Sequence, residues 1–298
     1  MLRLALLLLC LLPAPAAVAF EPRAPGTLCS SGKTANVQCI RPAHRTHDIC
    51  QAIGHFAGAN GLNPHFFARL LWQESRFDPN ALSPADARGI AQFIDSTAAL
   101  RGLTDSLNPA LAIEYSAQYL AELTARFGNE GLAAVAYNGG EARAEGLIAK
   151  TGGLARETVD YVQIITGLTA ETWRDDPPEE PDFRLQGDMP FEDACLELAL
   201  ESRLSAYPDP EPAIAPWGVQ VAFGRSKSAA REAFTRKTRA CQSVANAADL
   251  DLVFVKNRVS GRQGFYMARL GAENGRAAGQ LCDRLRSSGC VCAVYRND

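Results

Sequence analysis

No apolar run in this 298-residue chain is long enough to cross a bilayer. The stretch Leu4–Leu12 comes nearest and falls far short of the roughly 20 residues a membrane helix needs, so stable membrane insertion is not expected. A large excess of either charge is also lacking. The net charge is −3, with 47% hydrophobic and 21% charged residues, an ordinary globular composition with room for one large domain or two average ones.

The short apolar run has a different reading. Arg3, Leu4–Leu12, a proline-containing break and Ala17-Val18-Ala19 together form the pattern of a secretory signal peptide over residues 1–19, with a mature start near Phe20. Lipid attachment at Cys10 is disfavoured because Leu9 stands where a small residue is wanted. Removing the leader leaves Cys29, Cys39, Cys50, Cys195, Cys241, Cys282, Cys290 and Cys292. An even set in an exported protein predicts disulfides. The alternative is zinc, since Cys39, His44, His47 and Cys50 lie within one short segment.

After an extension over residues 20–47, residues 48–174 carry helical periodicity nearly throughout. Asn63-Pro64 opens a helix with Phe67, Leu70, Leu71 and Glu74 at three- and four-residue spacing, and Pro79 is expected to close it by biasing Asp78 away from helix. Asn108-Pro109 opens another that stops at Gly128, and "LAAVAYNGG" is a shorter helix ended at Gly139. This part is predicted to be an all-α domain. Residues 175–216 are acidic and proline-rich around one helical piece containing Cys195; they read as a linker that a disulfide could tie to a neighbour. Residues 217–298 then follow a βαββαβ order, predicting a small α+β domain of ferredoxin-like type.

Glu74 continues a buried helical face, where desolvation would raise its pKa and keep it protonated near neutral pH. Taken alone, such a residue is more often a helix-end glutamate paired with Arg69 or Arg76. Its company changes that. "ES" at 74–75, "SPADARGIAQF" at 83–93, "AYNGG" at 136–140 and "ETVDYVQIITG" at 157–167 resemble, in this order, the motifs of the soluble lytic transglycosylase family. The resemblance implies a goose-lysozyme-like fold over residues 48–174 and Glu74 as sole catalytic acid and base. It further implies that Ser75 helps to position Glu74 and substrate, that Gln92 lines the glycan cleft, that Tyr137 hydrogen-bonds the catalytic carboxylate and that Asn138 supports that wall. The substrate would be peptidoglycan, cut between N-acetylmuramic acid and N-acetylglucosamine with a 1,6-anhydro product and no metal or cofactor. Two positions depart from the family pattern: Ala91 stands for methionine and Asp86 for glycine. If Asp86 activated water, the enzyme would be a hydrolytic muramidase; a protein that keeps the fold without turnover would only bind cell wall.

In the last domain, fourteen Lys and Arg face six Asp and Glu, a balance suited to an anionic polymer. The lack of an aromatic RNP motif and the export signal exclude nucleic acid from the expectation. "WGVQVAF", "FYMARLG" and "AAGQLCDRLRSSGCVCAVYR" resemble the SPOR domain, which binds septal glycan stripped of stem peptides. That resemblance implies Gln220 and Arg269, on the open face of the sheet, as glycan contacts. With the leader it places the protein in the periplasm of a Gram-negative bacterium.

Overall fold

A computed structural model of the chain describes residues 26–208, 214–256 and 264–297; the leader lies outside the described residues. The described chain forms an N-terminal, mostly helical domain and a C-terminal mixed α+β domain with a four-stranded sheet.

A two-stranded ribbon, β1 (Leu28–Cys29) and β2 (Cys39–Ile40), precedes the helices α1 (Arg45–Ala59), α2 (Pro64–Ser75), α3 (Asp95–Arg101) and α4 (Pro109–Phe127). These are followed by α5 (Glu130–Gly139), α6 (Glu141–Ile148), α7 (Arg156–Thr166), α8 (Ala170–Asp175) and α9 (Phe191–Leu200). The long helix α4 runs through the centre, with Ala112, Ile113, Ser116 and Ala117 fully buried. Asn108 caps it by accepting from the Ala110 and Leu111 amides, and Gly128 ends it in the left-handed region that glycine adopts without strain. Glu114, also fully buried on α4, accepts from the amides of Ser31, Lys33 and Thr34 and so pins the Cys29–Cys39 ribbon to the core.

Asn63 caps α2 through the His65 and Phe66 amides, and Phe66, Phe67, Leu70 and Leu71 bury its inner face. The helix stops earlier than Pro79 implies: Arg76 and Phe77 both take φ 58°. Burial of the Phe77 ring, fully enclosed beside Trp72, holds the chain in that left-handed turn.

Residues 175–207 are no free tether. Phe183 is buried against Phe66 and stacks on Trp173, and Cys195 on α9 is bonded to Cys50 on α1. Ser205 donates its amide to Asp78, and Asn80 donates back to the Ser205 carbonyl. The apolar residues between the prolines are what convert an acidic, linker-like composition into a packed strap. Replacing Cys50 and Cys195 together by Ser releases α9 and is expected to lower stability by about 2–4 kcal/mol, read as a fall in Tm.

The C-terminal domain consists of β3 (Trp217–Gly224), α10 (Lys227–Lys237), α11 (Gln242–Ala245), β4 (Leu250–Val255), β5 (Phe265–Ala272), α12 (Gly275–Ser287) and β6 (Ala293–Arg296). The sheet order is β4-β5-β3-β6, with every pairing antiparallel. Helices α10 and α12 cover the face bearing Val219, Ala222, Ala268 and Leu270. Disulfides Cys241–Cys290 and Cys282–Cys292 staple the end of α12 to its neighbours. All eight described cysteines are thus paired, and Cys39 and Cys50 have no free thiol for the zinc alternative.

Candidate active site

The end of α2, the loop 83–94, the end of α5 and the start of α7 form most of the wall of a cleft of about 700 Å³, to which α3, α4 and α6 also contribute. Among its lining residues are Gln73, Glu74, Gln92, Tyr119, Tyr137, Asn138, Glu141, Glu157 and Tyr161.

Glu74 sits in the wall where α2 runs out. Protein packs densely around the side chain on all but the cleft side, so the residue keeps some accessible surface while its carboxyl is largely desolvated. Burial pushes its pKa up to about 7; the Tyr161 hydroxyl, donating to Oε1 at 2.6 Å, opposes that rise, and the charge of Glu157 adds to it. With Oε1 accepting from Tyr161, Oε2 is the oxygen placed to carry the acid proton. Burial also pushes the Tyr161 and Tyr137 phenols well above their ordinary value, so both remain donors at any working pH.

Here the structure corrects the expected partner. Tyr137 lines the cleft, yet its hydroxyl donates to the Ala91 carbonyl at 3.0 Å and pairs with Ser116 at 2.9 Å. The tyrosine on the carboxylate is Tyr161, from "ETVDY". Its signal was present in the sequence, because Tyr161 follows Glu157 by four residues and shares its helical face. Removing that hydroxyl in Tyr161→Phe takes away the group that lowers the Glu74 pKa. The alkaline limb of the pH–rate profile is therefore expected to move up by about one unit, measured on kcat/KM.

Ser75 is turned from the cleft: its hydroxyl donates to the Ile90 carbonyl at 2.8 Å, tying α2 to the loop. Gln92 lines the cleft at φ 49°, with its amide nitrogen donating to the carbonyls of Gly89 at 2.9 Å and Ala81 at 3.3 Å. Those bonds, with Ser83 accepting from the amides of Ala85 and Ala87, fold the loop onto itself. Asp86 adopts φ 61°, the left-handed geometry its position demands, and is exposed outside the cleft. Asn138 accepts from Thr158 at 2.7 Å, joining α5 to α7. Tyr119 and Glu141, which pair at 3.4 Å on the cleft floor, were not singled out in the sequence.

Gln220 and Arg269 lie elsewhere, facing each other across β3 and β5. Arg269 is only 6% exposed: it donates to Asn297 at 2.6 Å and lies 4.8 Å from the Tyr295 ring centre. Long side chains above it cover an open-face position that alternation alone would leave in solvent. Phe223 and Tyr295 are among the exposed groups on that face.

A cleft with one desolvated carboxyl, a tyrosine on it and a glutamine opposite agrees with what this region resembles. Residues 51–159 match the family model described as Transglycosylase SLT domain. The SLT match takes in Glu74, Gln92 and Tyr137 and stops two residues short of Tyr161. The peptidoglycan transglycosylase gp16 of Escherichia phage T7 is 43% identical over 95 residues, 29% of this chain and 7% of that protein. The membrane-bound lytic murein transglycosylase F of Alcanivorax borkumensis is 34% identical over 67 residues, 22% of this chain and 14% of that protein. The chain therefore spans well under two thirds of the length of these relatives. The X-ray structure of an inactive mutant of lytic transglycosylase Slt from Pseudomonas aeruginosa aligns with 44% of this chain and 25% of that one, at 26% identity and a TM-score of 0.37.

Proposed function

We propose that the protein is a peptidoglycan lytic transglycosylase that cuts the β-1,4 bond between N-acetylmuramic acid and N-acetylglucosamine. The observation that carries this reading is Glu74: a desolvated carboxyl in the cleft wall, held by Tyr161, whose pKa, raised to about 7, lets it exist in both protonation states at working pH. The protonated Oε2 gives its proton to the glycosidic oxygen as the bond to the muramoyl C1 breaks. The carboxylate left behind takes the proton of the muramoyl C6 hydroxyl as that oxygen bonds to C1. Glu74 ends as it began, a 1,6-anhydro ring forms and no water is consumed. Tyr161 holds Oε1 throughout, so that one oxygen performs both transfers.

Hydrolysis of glycosides ordinarily needs a second carboxyl to act as nucleophile or to activate water. Asp86, the candidate for that part, is exposed outside the cleft and so does not supply it. Mass spectrometry of digested peptidoglycan tests the reading. Anhydromuramoyl ends are expected, and an Asp86→Asn variant should produce them undiminished. Reducing muramic acid ends, or their loss in Asp86→Asn, would establish the muramidase instead.

The C-terminal domain belongs to the same proposal as a SPOR-like, ferredoxin-like glycan-binding module acting on denuded strands. Its strand order, its basic balance and the exposed Phe223 and Tyr295 beside Gln220 support that assignment. Arg269 then shapes the binding face, held beneath Tyr295. The setting for both domains is the periplasm.

A further inference from the structure

Helix α3 lacks an N-terminal cap of its own. The residue at its cap position is Ile94, which has no side-chain acceptor, so no side-chain cap closes the start of the helix. The missing acceptor comes from the other domain. The Ser96 amide donates to the hydroxyl of Tyr266 on β5 at 3.1 Å, and Lys227, the first residue of α10, meets Asp95 at 2.7 Å. Tyr266 is itself 5% exposed, its ring set beside Phe254 in the core of the C-terminal domain, so its hydroxyl is presented from a rigid base.

These two contacts fall on the segment that forms one wall of the catalytic cleft. Gln92, Phe93 and Ile94 lead into α3, and Thr97 on α3 also lines the cleft. A smaller pocket of about 200 Å³ at the junction of the domains shares Ala85 and Ile94 with the cleft and is closed by Arg225, Lys227 and Tyr266. The wall is therefore held from behind by the C-terminal domain. Within the helical domain the same segment is anchored by the buried Phe93 and Ala98 and by Arg88, which lies 3.7 Å from Asp95.

We infer that Tyr266 and Lys227 are positioning residues for the catalytic cleft, so that the C-terminal domain completes the glycan-binding wall of the N-terminal one. The inference rests on the catalytic reading above and extends it: docking of the second domain sets how well the first holds its strand. The residues act on substrate binding through Gln92, Phe93 and Ile94. Glu74 and Tyr161, across the cleft, are untouched.

The test uses the full chain with Tyr266→Phe, which deletes only the accepting oxygen, and with Lys227→Met and Lys227→Arg. Kinetics on purified peptidoglycan are expected to show KM raised about three- to tenfold in the Phe and Met variants, the effect of losing a helix cap or its charge partner. The kcat value and the Glu74 pH midpoint should be unchanged, and Lys227→Arg should retain KM near that of the unaltered protein. Amide hydrogen exchange at Ser96 should quicken in Tyr266→Phe while the β3–β5 amides keep their protection. An unchanged KM in both variants, an unchanged exchange rate at Ser96, or a loss of kcat that tracks a fall in Tm would overturn the inference. If the unaltered protein fails to cut peptidoglycan, the catalytic reading is what has failed, and exchange at Ser96 decides the coupling by itself.

Discussion

Glu74→Gln should abolish glycan cleavage and at the same time stabilise the protein above neutral pH. The amide can neither donate the proton nor take it back. On the proposed mechanism one group serves as both acid and base, so turnover is expected to fall by about 10⁴-fold, the upper end for a general acid–base residue. The stability effect follows from the same burial. The folded carboxyl has a pKa of about 7 against an ordinary 4.5, so the folded state holds a proton that the unfolded state has released between those values. Stability is therefore greatest below pH 4.5, declines as pH rises to 7 and is level above that. Glutamine matches the neutral form, keeps the acceptor for Tyr161 and escapes the decline. Allowing for the open cleft beside the carboxyl, the gain at pH 8 is about 2 kcal/mol, or about 5 °C in Tm, and vanishes at pH 4. Paired melting curves at the two pH values, with an activity assay, check it. A variant that still cleaves, or one equally stabilised at pH 4, would show that Glu74 is not the desolvated acid.

The second large effect is expected from a residue with no chemistry. Gly89 takes φ 72°, donates its amide to the Ala81 carbonyl and accepts from Gln92. A Cβ there would lie 2.0 Å from the Ser106 carbonyl oxygen, a backbone atom in the turn ahead of α4. The contact cannot be relieved by a side-chain rotation, so in Gly89→Ala the loop must move and carry Gln92 with it. Displacement of a substrate-positioning group by about 1 Å is worth about 10²-fold in kcat/KM. Gly61→Ala is the control: its φ of 67° is equally left-handed, but nothing lies within 4 Å of the added methyl. That variant should lose only about 1 kcal/mol of stability and no activity. If the two variants behaved alike, backbone strain rather than the close approach to Ser106 would be the reason for Gly89.

Local signals in the chain account for much of the helical domain. Asn63-Pro64 and Asn108-Pro109 mark helix starts because an Asx cap and a proline at the first turn serve only backbone groups nearby. Gly128 marks a stop for the same kind of reason. Glu74 was legible from its place on an apolar helical face together with three further motifs in order. Residues whose state depends on distant neighbours were not. Phe183 and Cys195 lie in a stretch whose acidity and prolines read as a linker, and only Trp173, Phe66 and Cys50, brought close by the fold, bury it. The resemblance to the SPOR domain puts Arg269 on the open face, and a family register is blind to Tyr295 and Asn297 closing over it.

The sequence by itself determined which carboxylate is the candidate acid, where the helices of the first domain begin, and that the second domain alternates strands with helices. These rest on interactions within a few residues, or on a residue order that chemistry demands. The tertiary structure alone decided which tyrosine holds Glu74. Tyr137 and Tyr161 both sit on partly apolar helices, and the crossing of α5 and α7 over α2 places one hydroxyl on Ala91 and the other on the acid. The cap of α3 was likewise decided there, since its acceptor lies 170 positions away on another domain.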